Sequence, residues 1–363
     1  MIRFSNWSSS SEKWDCWRSE KEVILTLTIN KNKIQKEMSI SKQQELEGIN
    51  QGPPKSISSN KEHELINYQG FWTPGSLLAP ILTFQSHFIA RDTDLFITGL
   101  PKTGTTWLKS LLFTIVNRVI HSINQNPLLQ NHPQELVYNL EGDIYGKAFA
   151  YPRPQHLGEL PSPRLLSTHL PYASLPESIR TSNCRLLYIC RNPFDALTSS
   201  FHFYTSFLKN SKIKKPPRFE DLFEKFCEGK HLYGPFFEHV LTYWKMSIEQ
   251  PDKVLFLTYE DLKDDPSVHI RRVAEFVGMP FTPLEERQGV IDQIIEFCSI
   301  GNIKELEVNK SGVINKFFEK KSYFRKGEVG DWINHFTPAM TEKMTGLMEE
   351  KLRGTGLSFK LIP

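Results

Sequence analysis

The chain has 363 residues, a formal net charge of +3 and 39% hydrophobic residues, enough to bury a large core. Its basic residues are scattered, so nucleic-acid binding is not expected. No apolar run reaches membrane-spanning length, and the five cysteines contain no Cys-x-x-Cys pair. We therefore expect no membrane contact, no disulfide framework and no metal site.

The first sixty residues differ from the rest of the chain. Ser8–Ser11 is a low-complexity stretch, and residues 51–60 contain two consecutive prolines, as flexible linkers do. The start lacks the apolar core of a signal peptide, and its acidic residues disfavour a transit peptide. The sequence predicts an atypical extension over residues 1–60, a folded domain over residues 61–363 and a cytoplasmic location.

A strand, a tight loop and a helix are then predicted in succession. Leu95–Thr98 is a short apolar run typical of a buried strand, and Gly99 and Gly104 mark the loop. Apolar residues recur at helical spacing from Leu108 to Val119 and should share one helix face. A glycine-containing loop that opens a helix directs free N–H groups at one point, which favours phosphate binding.

This loop departs from the nucleotide P-loop in the position of its lysine. Gly99 and Gly104 fit the glycine spacing and Thr106 fits the hydroxyl position, but Thr105 stands where the lysine is expected. A lysine occurs three residues earlier, at Lys102. The displaced cation favours a phosphate-type ligand other than a magnesium nucleotide. The simpler interpretation, an ordinary turn with a solvated lysine, fits less well because the threonines and a tryptophan accompany it.

The string Pro-Lys-Thr-Gly-Thr-Thr-Trp at Pro101–Trp107 resembles the 5′-phosphosulfate loop of the plant soluble (cytosolic) sulfotransferases. The resemblance begins at Tyr68–Trp72 and continues to about Phe359. It implies sulfation in plant secondary metabolism. The sulfuryl group would pass from 3′-phosphoadenosine 5′-phosphosulfate to a small acceptor hydroxyl, without a metal. With the predicted strands, it implies an α/β fold: a single P-loop-like domain whose central parallel sheet has helices on both faces.

The resemblance assigns the cofactor's 5′-phosphosulfate to the loop and the first turn of the helix. Lys102 would also act in catalysis, by stabilising the charge that grows on the leaving oxygen. The adenine would lie between two aromatic residues, one after the loop and one at the end of a later strand. The residues implied here are Lys102, Thr103, Gly104, Thr105, Thr106, Trp107 and Tyr259.

A second short strand, Leu165–Thr168, leads directly into His169. A lone histidine is more often structural, but open α/β sheets place ligands at strand ends. A neutral imidazole can take the acceptor's proton as the new O–S bond forms. The string Thr-His-Leu-Pro matches the family's catalytic histidine, so the resemblance implies that His169 is the general base. Animal members often carry a lysine at the position of Ser167, and here Lys102 must supply the cation.

A third strand, Leu186–Cys190, is followed by Arg191 and a helix. Arg191 and Ser199 could converge on one phosphate, since arginine offers several donors and serine a hydroxyl. The competing interpretation is that Arg191 pairs with Asp195. The string Arg-Asn-Pro-Phe-Asp resembles the family's 3′-phosphate motif, which implies the first role.

The remaining cofactor residues come from the C-terminal half. Val254–Thr258 is a fourth buried strand, and the later string Arg-Lys-Gly-Glu-Val-Gly-Asp-Trp puts two cations and a glycine in one tight loop. The resemblance implies that this loop closes over the 3′-phosphate and that a serine before it contacts the adenine. The residues are Ser299, Arg325, Lys326 and Gly327.

The acceptor and the oligomeric state are less well defined. In the family the segment that follows Phe71 and Trp72 borders the acceptor pocket, although core packing explains these two residues equally well. The long irregular segment with Tyr145, Phe149 and Tyr151 is interpreted as one wall of the acceptor site, because such loops often carry specificity. Aromatic walls favour a flavonoid or another phenolic, and a hydroxysteroid or a hydroxyjasmonate stays open. The dimer motif of animal members is incomplete, so a monomer is expected.

Three other functions fit the sequence less well. An ATP-dependent phosphotransferase needs a lysine at position 105, where this chain has Thr105. It also needs an acidic magnesium ligand, for which the sequence offers no clear candidate. A non-catalytic cofactor-binding protein would not need both Lys102 and His169. Protein-tyrosine sulfation in the secretory pathway would require a signal or membrane segment, and none is evident.

Overall fold

The structure is a computed structural model that describes residues 64–146, 157–210, 217–314 and 318–362. The extension predicted over residues 1–60 lies outside this part, as do Phe149 and Tyr151. Among the described helices, none combines the length and the apolar character that a membrane crossing requires.

A five-stranded parallel sheet forms the centre of the molecule. The strands are β1 (Leu65–Tyr68), β2 (Phe71–Pro74), β3 (Leu95–Thr98), β4 (Tyr138–Asn139), β5 (Leu165–Thr168), β6 (Arg185–Cys190) and β7 (Val254–Thr258). The order across the central sheet is β4-β5-β3-β6-β7, and each neighbouring pair is parallel. β1 and β2 form a separate antiparallel hairpin.

The four strands predicted for the sheet are confirmed, and the third begins one residue earlier than expected, at Arg185. The central strand β3 is buried at every residue, which explains its continuous apolar run. The edge strand β4 was not predicted, because two residues carry no periodic pattern.

Helices surround the sheet. They are α1 (Gly75–His87), α2 (Thr105–Asn117), α3 (Pro133–Leu136), α4 (Glu177–Thr181), α5 (Pro193–Asn210), α6 (Phe219–Cys227), α7 (Phe236–Glu249), α8 (Tyr259–Asp264), α9 (Pro266–Phe276), α10 (Pro283–Arg287), α11 (Val290–Phe297), α12 (Ile300–Glu305), α13 (Glu307–Lys310) and α14 (Pro338–Leu352). Short 3₁₀ or π turns lie between several of them.

The sheet separates two hydrophobic cores. Phe96 of β3 packs with residues of α1 and α7, whereas its neighbours Leu95 and Ile97 pack with α2, α9 and α11. Alternate side chains of a strand point to opposite faces, so helices cover both faces of the sheet. The predicted α/β architecture is confirmed.

One helix prediction was wrong at its end. α2 begins at Thr105 as expected but ends at Asn117, and Val119, expected on its buried face, is 84% exposed. The amide of Ile120 bonds back to the carbonyl of Asn117, so the chain turns away before Val119 can reach the core.

Candidate active site at the carboxyl edge of the sheet

The predicted site residues lie where parallel strands end at one edge of the sheet. The loop Gly99–Gly104 follows β3, His169 follows β5, Arg191 follows β6 and Tyr259 follows β7. Open α/β sheets place ligands at this edge. The fold therefore brings four of the predicted segments to one place.

The loop after β3 requires both of its glycines. Gly99 has φ 148°, and a Cβ added there would lie 2.4 Å from the carbonyl oxygen of Ile189. Gly104 has φ 109°, and a Cβ there would lie 2.7 Å from Cδ2 of Tyr259. The loop thus approaches its neighbours too closely for any side chain at these positions.

The threonines of this loop differ in their surroundings. The hydroxyl of Thr103 lies 2.8 Å from the carbonyl of Leu100 and 2.9 Å from that of Ile189, so its side chain fastens the loop to β6. Thr105 is buried in the first turn of α2. The hydroxyl of Thr106 accepts a hydrogen bond from Gln134 at 3.1 Å. The hydroxyl of Thr103 is therefore already engaged within the protein.

Lys102 is a cation without a carboxylate partner in the part of the chain that is described. Its Nζ lies 4.0 Å from the ring centre of Phe203 and 5.6 Å from that of Tyr323. Burial lowers the pKa of Lys102 to about 7, and repulsion by Arg325 and Arg191 adds to the effect. Three cations therefore face one another, which is an arrangement suited to an anionic ligand.

The other cations do have partners. Arg191 lies 3.3 Å from the Asp195 carboxylate and also donates to the carbonyl of Glu328, so the pairing weighed against its phosphate role is present. Arg325 and Lys326 both bond to Asp331. Burial by itself would raise the pKa of Asp331, but the hydrogen bonds from these cations hold it well below its usual range.

Four buried donors of this region have no hydrogen-bond partner within the described structure: Trp107 Nε1, Arg191 Nε, Tyr259 OH and Arg325 Nε. Buried polar groups are normally paired, so orphaned donors usually mark a missing ligand or water. All four belong to residues predicted to bind the cofactor. The site therefore fits a ligand with several acceptor oxygens.

The two aromatic residues expected on either side of the adenine contact each other directly. The rings of Trp107 and Tyr259 have centres 5.3 Å apart at an angle of 65°. The guanidinium of Arg191 lies 4.5 Å from the ring centre of Tyr259. A base cannot lie sandwiched between Trp107 and Tyr259 in this conformation, because the edge of one ring already fills the space.

The remaining cofactor candidates are Ser199, Ser299 and Gly327. Ser199 on α5 is 8% exposed. The hydroxyl of Ser299 caps α12 by accepting the amide of Asn302 at 3.2 Å. Gly327 has φ 71°, and a Cβ there would lie 2.8 Å from Cδ1 of Ile300. Gly327 therefore packs tightly beside α12, whereas Ser299 has a structural hydrogen bond of its own.

The hydrogen bonds of His169 define its tautomer. Nδ1 lies 2.6 Å from the carbonyl of Gly99, which can only accept, so Nδ1 carries the proton. The other ring nitrogen, Nε2, then keeps a lone pair that can accept a proton. Burial lowers the pKa of His169, although Glu141 and the Gly99 carbonyl oppose this. The imidazole is therefore neutral near pH 7, as a general base must be.

Glu141 is a site residue that the sequence did not indicate. Its carboxylate is fully buried in the π turn Leu140–Ile144, and it accepts the backbone N–H of His169 at 2.6 Å. Lys109 is also buried nearby, and burial lowers its pKa to about 8 despite the attraction of Asp143 and Glu141. The carboxylate therefore fixes the backbone that carries the histidine.

Asp195 was predicted only as a possible partner of Arg191, yet it has a second role. Its carboxylate accepts the backbone amides of Gly330 at 2.8 Å and Trp332 at 3.1 Å. It thereby joins the start of α5 to the loop that carries Arg325. The two predicted 3′-phosphate segments are held together by this carboxylate and by the hydrogen bond from Arg191 to the carbonyl of Glu328.

Of the described aromatic residues proposed for the acceptor pocket, Phe71 and Tyr145 are buried in the core, whereas Trp72 is not fully buried. Phe71 is 1% exposed and stacks on Tyr233 at 6.2 Å, and the ring of Tyr233 lies 5.4 Å from that of His169. Tyr145 is 5% exposed, and Trp72 is half-buried. Phe71 thus packs in the core, and the ring of Tyr233 lies between it and His169.

Comparison with known proteins agrees with this geometry. The model of the sulfotransferase domain family matches residues 92–356. Cytosolic sulfotransferase 15 of Arabidopsis thaliana is 43% identical over 298 residues, which cover 81% of each chain. A flavonol sulfotransferase-like protein of Flaveria bidentis is 45% identical over 310 residues, 85% of this chain and 97% of that protein. The chain belongs to the plant cytosolic sulfotransferase family.

Solved structures support the same assignment. A sulphotransferase of Arabidopsis thaliana, whose name refers to steroids, is 35% identical with a TM-score of 0.63, over 85% of this chain and 93% of that one. Mouse sulfotransferase SULT7A1 complexed with PAP is 25% identical with a TM-score of 0.61, over 80% and 94% of the chains. This sulfotransferase family member is therefore an enzyme with the predicted fold, and the cytosolic prediction agrees with the family's name.

Proposed function

We propose that this sulfotransferase moves the sulfuryl group from 3′-phosphoadenosine 5′-phosphosulfate to a hydroxyl of a small aromatic or polycyclic acceptor. The observation that carries the proposal is a neutral histidine with a lone pair on Nε2 at the same sheet edge as Lys102, a cation that has no carboxylate partner among the described residues and is repelled by Arg325 and Arg191. The orphaned donors of four predicted cofactor residues support it. So does the PAP complex of the mouse relative.

The donor would be held at two anionic ends. Lys102, the backbone of the glycine loop and the N-terminus of α2 would hold the 5′-phosphosulfate. Arg325 and Lys326 would exchange Asp331 for the 3′-phosphate. The remaining residues proposed for the donor are Thr103, Thr105, Thr106, Trp107, Arg191, Ser199, Tyr259, Ser299 and Gly327. No metal is needed for this binding, because the protein supplies the cations.

His169 and Lys102 would divide the chemistry. His169 Nε2 takes the proton of the acceptor hydroxyl, whose oxygen forms a bond to sulfur as the bond from sulfur to the phosphate oxygen breaks. Lys102 and the α2 N-terminus stabilise the negative charge on that leaving phosphate oxygen. Glu141 stabilises the imidazolium that results, because a buried carboxylate favours a nearby cation.

We propose a flavonol or another phenolic as the acceptor. The flavonol sulfotransferase-like relative supports this class, as do the aromatic rings near His169. The name of the Arabidopsis structure keeps a hydroxysteroid open. A monomeric state stays a prediction from the sequence.

The test is transfer of labelled sulfuryl from the donor to a panel of flavonols, other phenolics and hydroxysteroids. We expect His169→Ala to lower the rate by about 10²-fold or more while the affinity for adenosine 3′,5′-bisphosphate stays unchanged. His121→Ala, on the loop after α2, is the matched control and should retain the rate. Near-full rate in His169→Ala would remove the histidine from the mechanism. Tight bisphosphate binding without turnover on any acceptor would favour a non-catalytic binding protein.

A further inference from the structure

A second cluster of titratable side chains lies beside the proposed 3′-phosphate loop. His202 belongs to α5, Asp331 begins the 3₁₀ turn Asp331–Asn334, and His335 follows that turn. One potential ligand atom from each residue lies within 4.8 Å of the other two. The proposed reaction uses neither histidine.

The separations are close to those of a metal site. The two Nε2 atoms are 3.1 Å apart, and Nε2 of His335 lies 3.9 Å from Oδ2 of Asp331. Ligands bound tetrahedrally at about 2.0–2.2 Å from zinc lie roughly 3.3 Å from one another. The histidines are thus already spaced for a shared ion, and the carboxylate would have to move by roughly 1 Å.

We propose that His202, Asp331 and His335 form a binding site for a divalent transition metal of the zinc type. Two histidines and one carboxylate are a donor set that zinc accepts, and the fourth position stays open to water. The sequence predicted no metal site, and this proposal differs from that expectation. No spacing motif could have indicated it, because His202 and His335 are 133 residues apart.

The present hydrogen bond between the histidines is compatible with this site. A bond between two Nε2 atoms requires that one of them offer a lone pair, so both cannot be protonated. A metal would take the place of that proton on Nε2, and the proton would move to Nδ1 of the same neutral ring, so both histidines could bind the metal through Nε2. The aromatic rings of Phe201 and Phe219 lie around His335 and would limit its movement.

Two neighbouring cations oppose a metal here. Arg325 and Lys326 both bond to Asp331, and their charges would repel a divalent ion. This repulsion falls if the cations turn to a bound 3′-phosphate, a step that rests on the proposed function. Asp331 would then be released to the metal. The metal and the bisphosphate should therefore strengthen each other's binding, and the coupling must be reciprocal.

The metal site is tested on the full-length protein without nucleotide. Zn²⁺ is titrated by calorimetry, and Co²⁺ reports the ligand geometry through its visible absorption. We expect a tetrahedral Co²⁺ spectrum that Zn²⁺ abolishes, and binding at least about tenfold weaker in both His202→Asn and His335→Gln. His121→Asn should bind as the wild type does. Wild-type affinity in both variants, or no tetrahedral spectrum in the wild type, would overturn the site.

The coupling is tested by repeating the Zn²⁺ titration at saturating adenosine 3′,5′-bisphosphate. Tighter Zn²⁺ binding is expected, and it should disappear in the two histidine variants. An unchanged Zn²⁺ affinity with bisphosphate bound would overturn the coupling. Failure of the bisphosphate to bind would refute the proposed function instead, whereas the titration without nucleotide would still decide the metal site.

Discussion

Lys102 combines an unusual backbone conformation with a buried ammonium group that has no carboxylate partner among the described residues. Its φ is 72°, in the left-handed region that costs a non-glycine residue roughly 1–3 kcal/mol at functional sites. Its ammonium rests on the rings of Phe203 and Tyr323, so no carboxylate has to be displaced when an anion arrives. The residue is therefore held ready for an anionic ligand.

The pKa of Lys102 gives a proton-linkage prediction. It is lowered to about 7 by burial, Arg325 and Arg191, and a bound anion would raise it again. Bisphosphate binding should therefore take up close to one proton through this residue at about pH 8 and almost none at about pH 6. Calorimetry in two buffers of different ionisation enthalpy measures the uptake. The same uptake in Lys102→Met would contradict the assignment.

Glu141 should act on His169 through its charge as well as its hydrogen bond. Glu141→Gln keeps an oxygen for the backbone N–H of His169 but removes the charge that raises the histidine's pKa. The acidic limb of kcat/KM should therefore move to lower pH. The value of kcat should fall roughly tenfold, the equivalent of one pKa unit, because the imidazolium loses its counter-charge. An unchanged pH profile with lower stability would leave Glu141 only a structural role.

The glycine loop between β3 and α2 can be tested as an element. Gly104→Ala places a Cβ 2.7 Å from Tyr259 at φ 109°, so it should lower the unfolding temperature and weaken bisphosphate binding at least about tenfold. Gly346→Ala on α14 meets no atom within 4 Å and should stabilise the protein by up to about 1 kcal/mol. Thermal unfolding and calorimetry compare the two. Wild-type behaviour of Gly104→Ala would contradict the tight approach of loop and ring.

The elements also show what the sequence could and could not predict. The buried strands and the start of α2 have strong local patterns and were predicted. Strand β4 has only two residues, and the π turn that carries Glu141 has no periodic signal. Glu141 reaches His169 across 28 residues, a contact that only the fold determines. Family motifs predicted which segments bind the cofactor, but they did not show that Trp107 and Tyr259 contact each other.

At the scale of the whole molecule, the domain carries its own two cores on the faces of one sheet. The family match covers residues 92–356, all of which lie within the domain predicted over residues 61–363. Deletion of residues 1–60 should therefore leave the rate of sulfuryl transfer unchanged and the unfolding temperature within about 2 °C of the full chain. Thermal unfolding and an assay of both proteins measure this. Loss of folding in the shortened chain would show that the predicted domain boundary is wrong.

The central claim is that the site binds a 3′-phosphorylated adenosine donor. The most direct test is calorimetry with three ligands: adenosine 3′,5′-bisphosphate, adenosine 5′-monophosphate and Mg-ATP. We predict tight binding of the bisphosphate, no competition by Mg-ATP, and a loss in Arg191→Ala that is far larger for the bisphosphate than for the monophosphate. Preference for Mg-ATP would contradict the account and indicate a nucleotide phosphotransferase. Equal losses for both adenosine phosphates would contradict the 3′-phosphate role of Arg191.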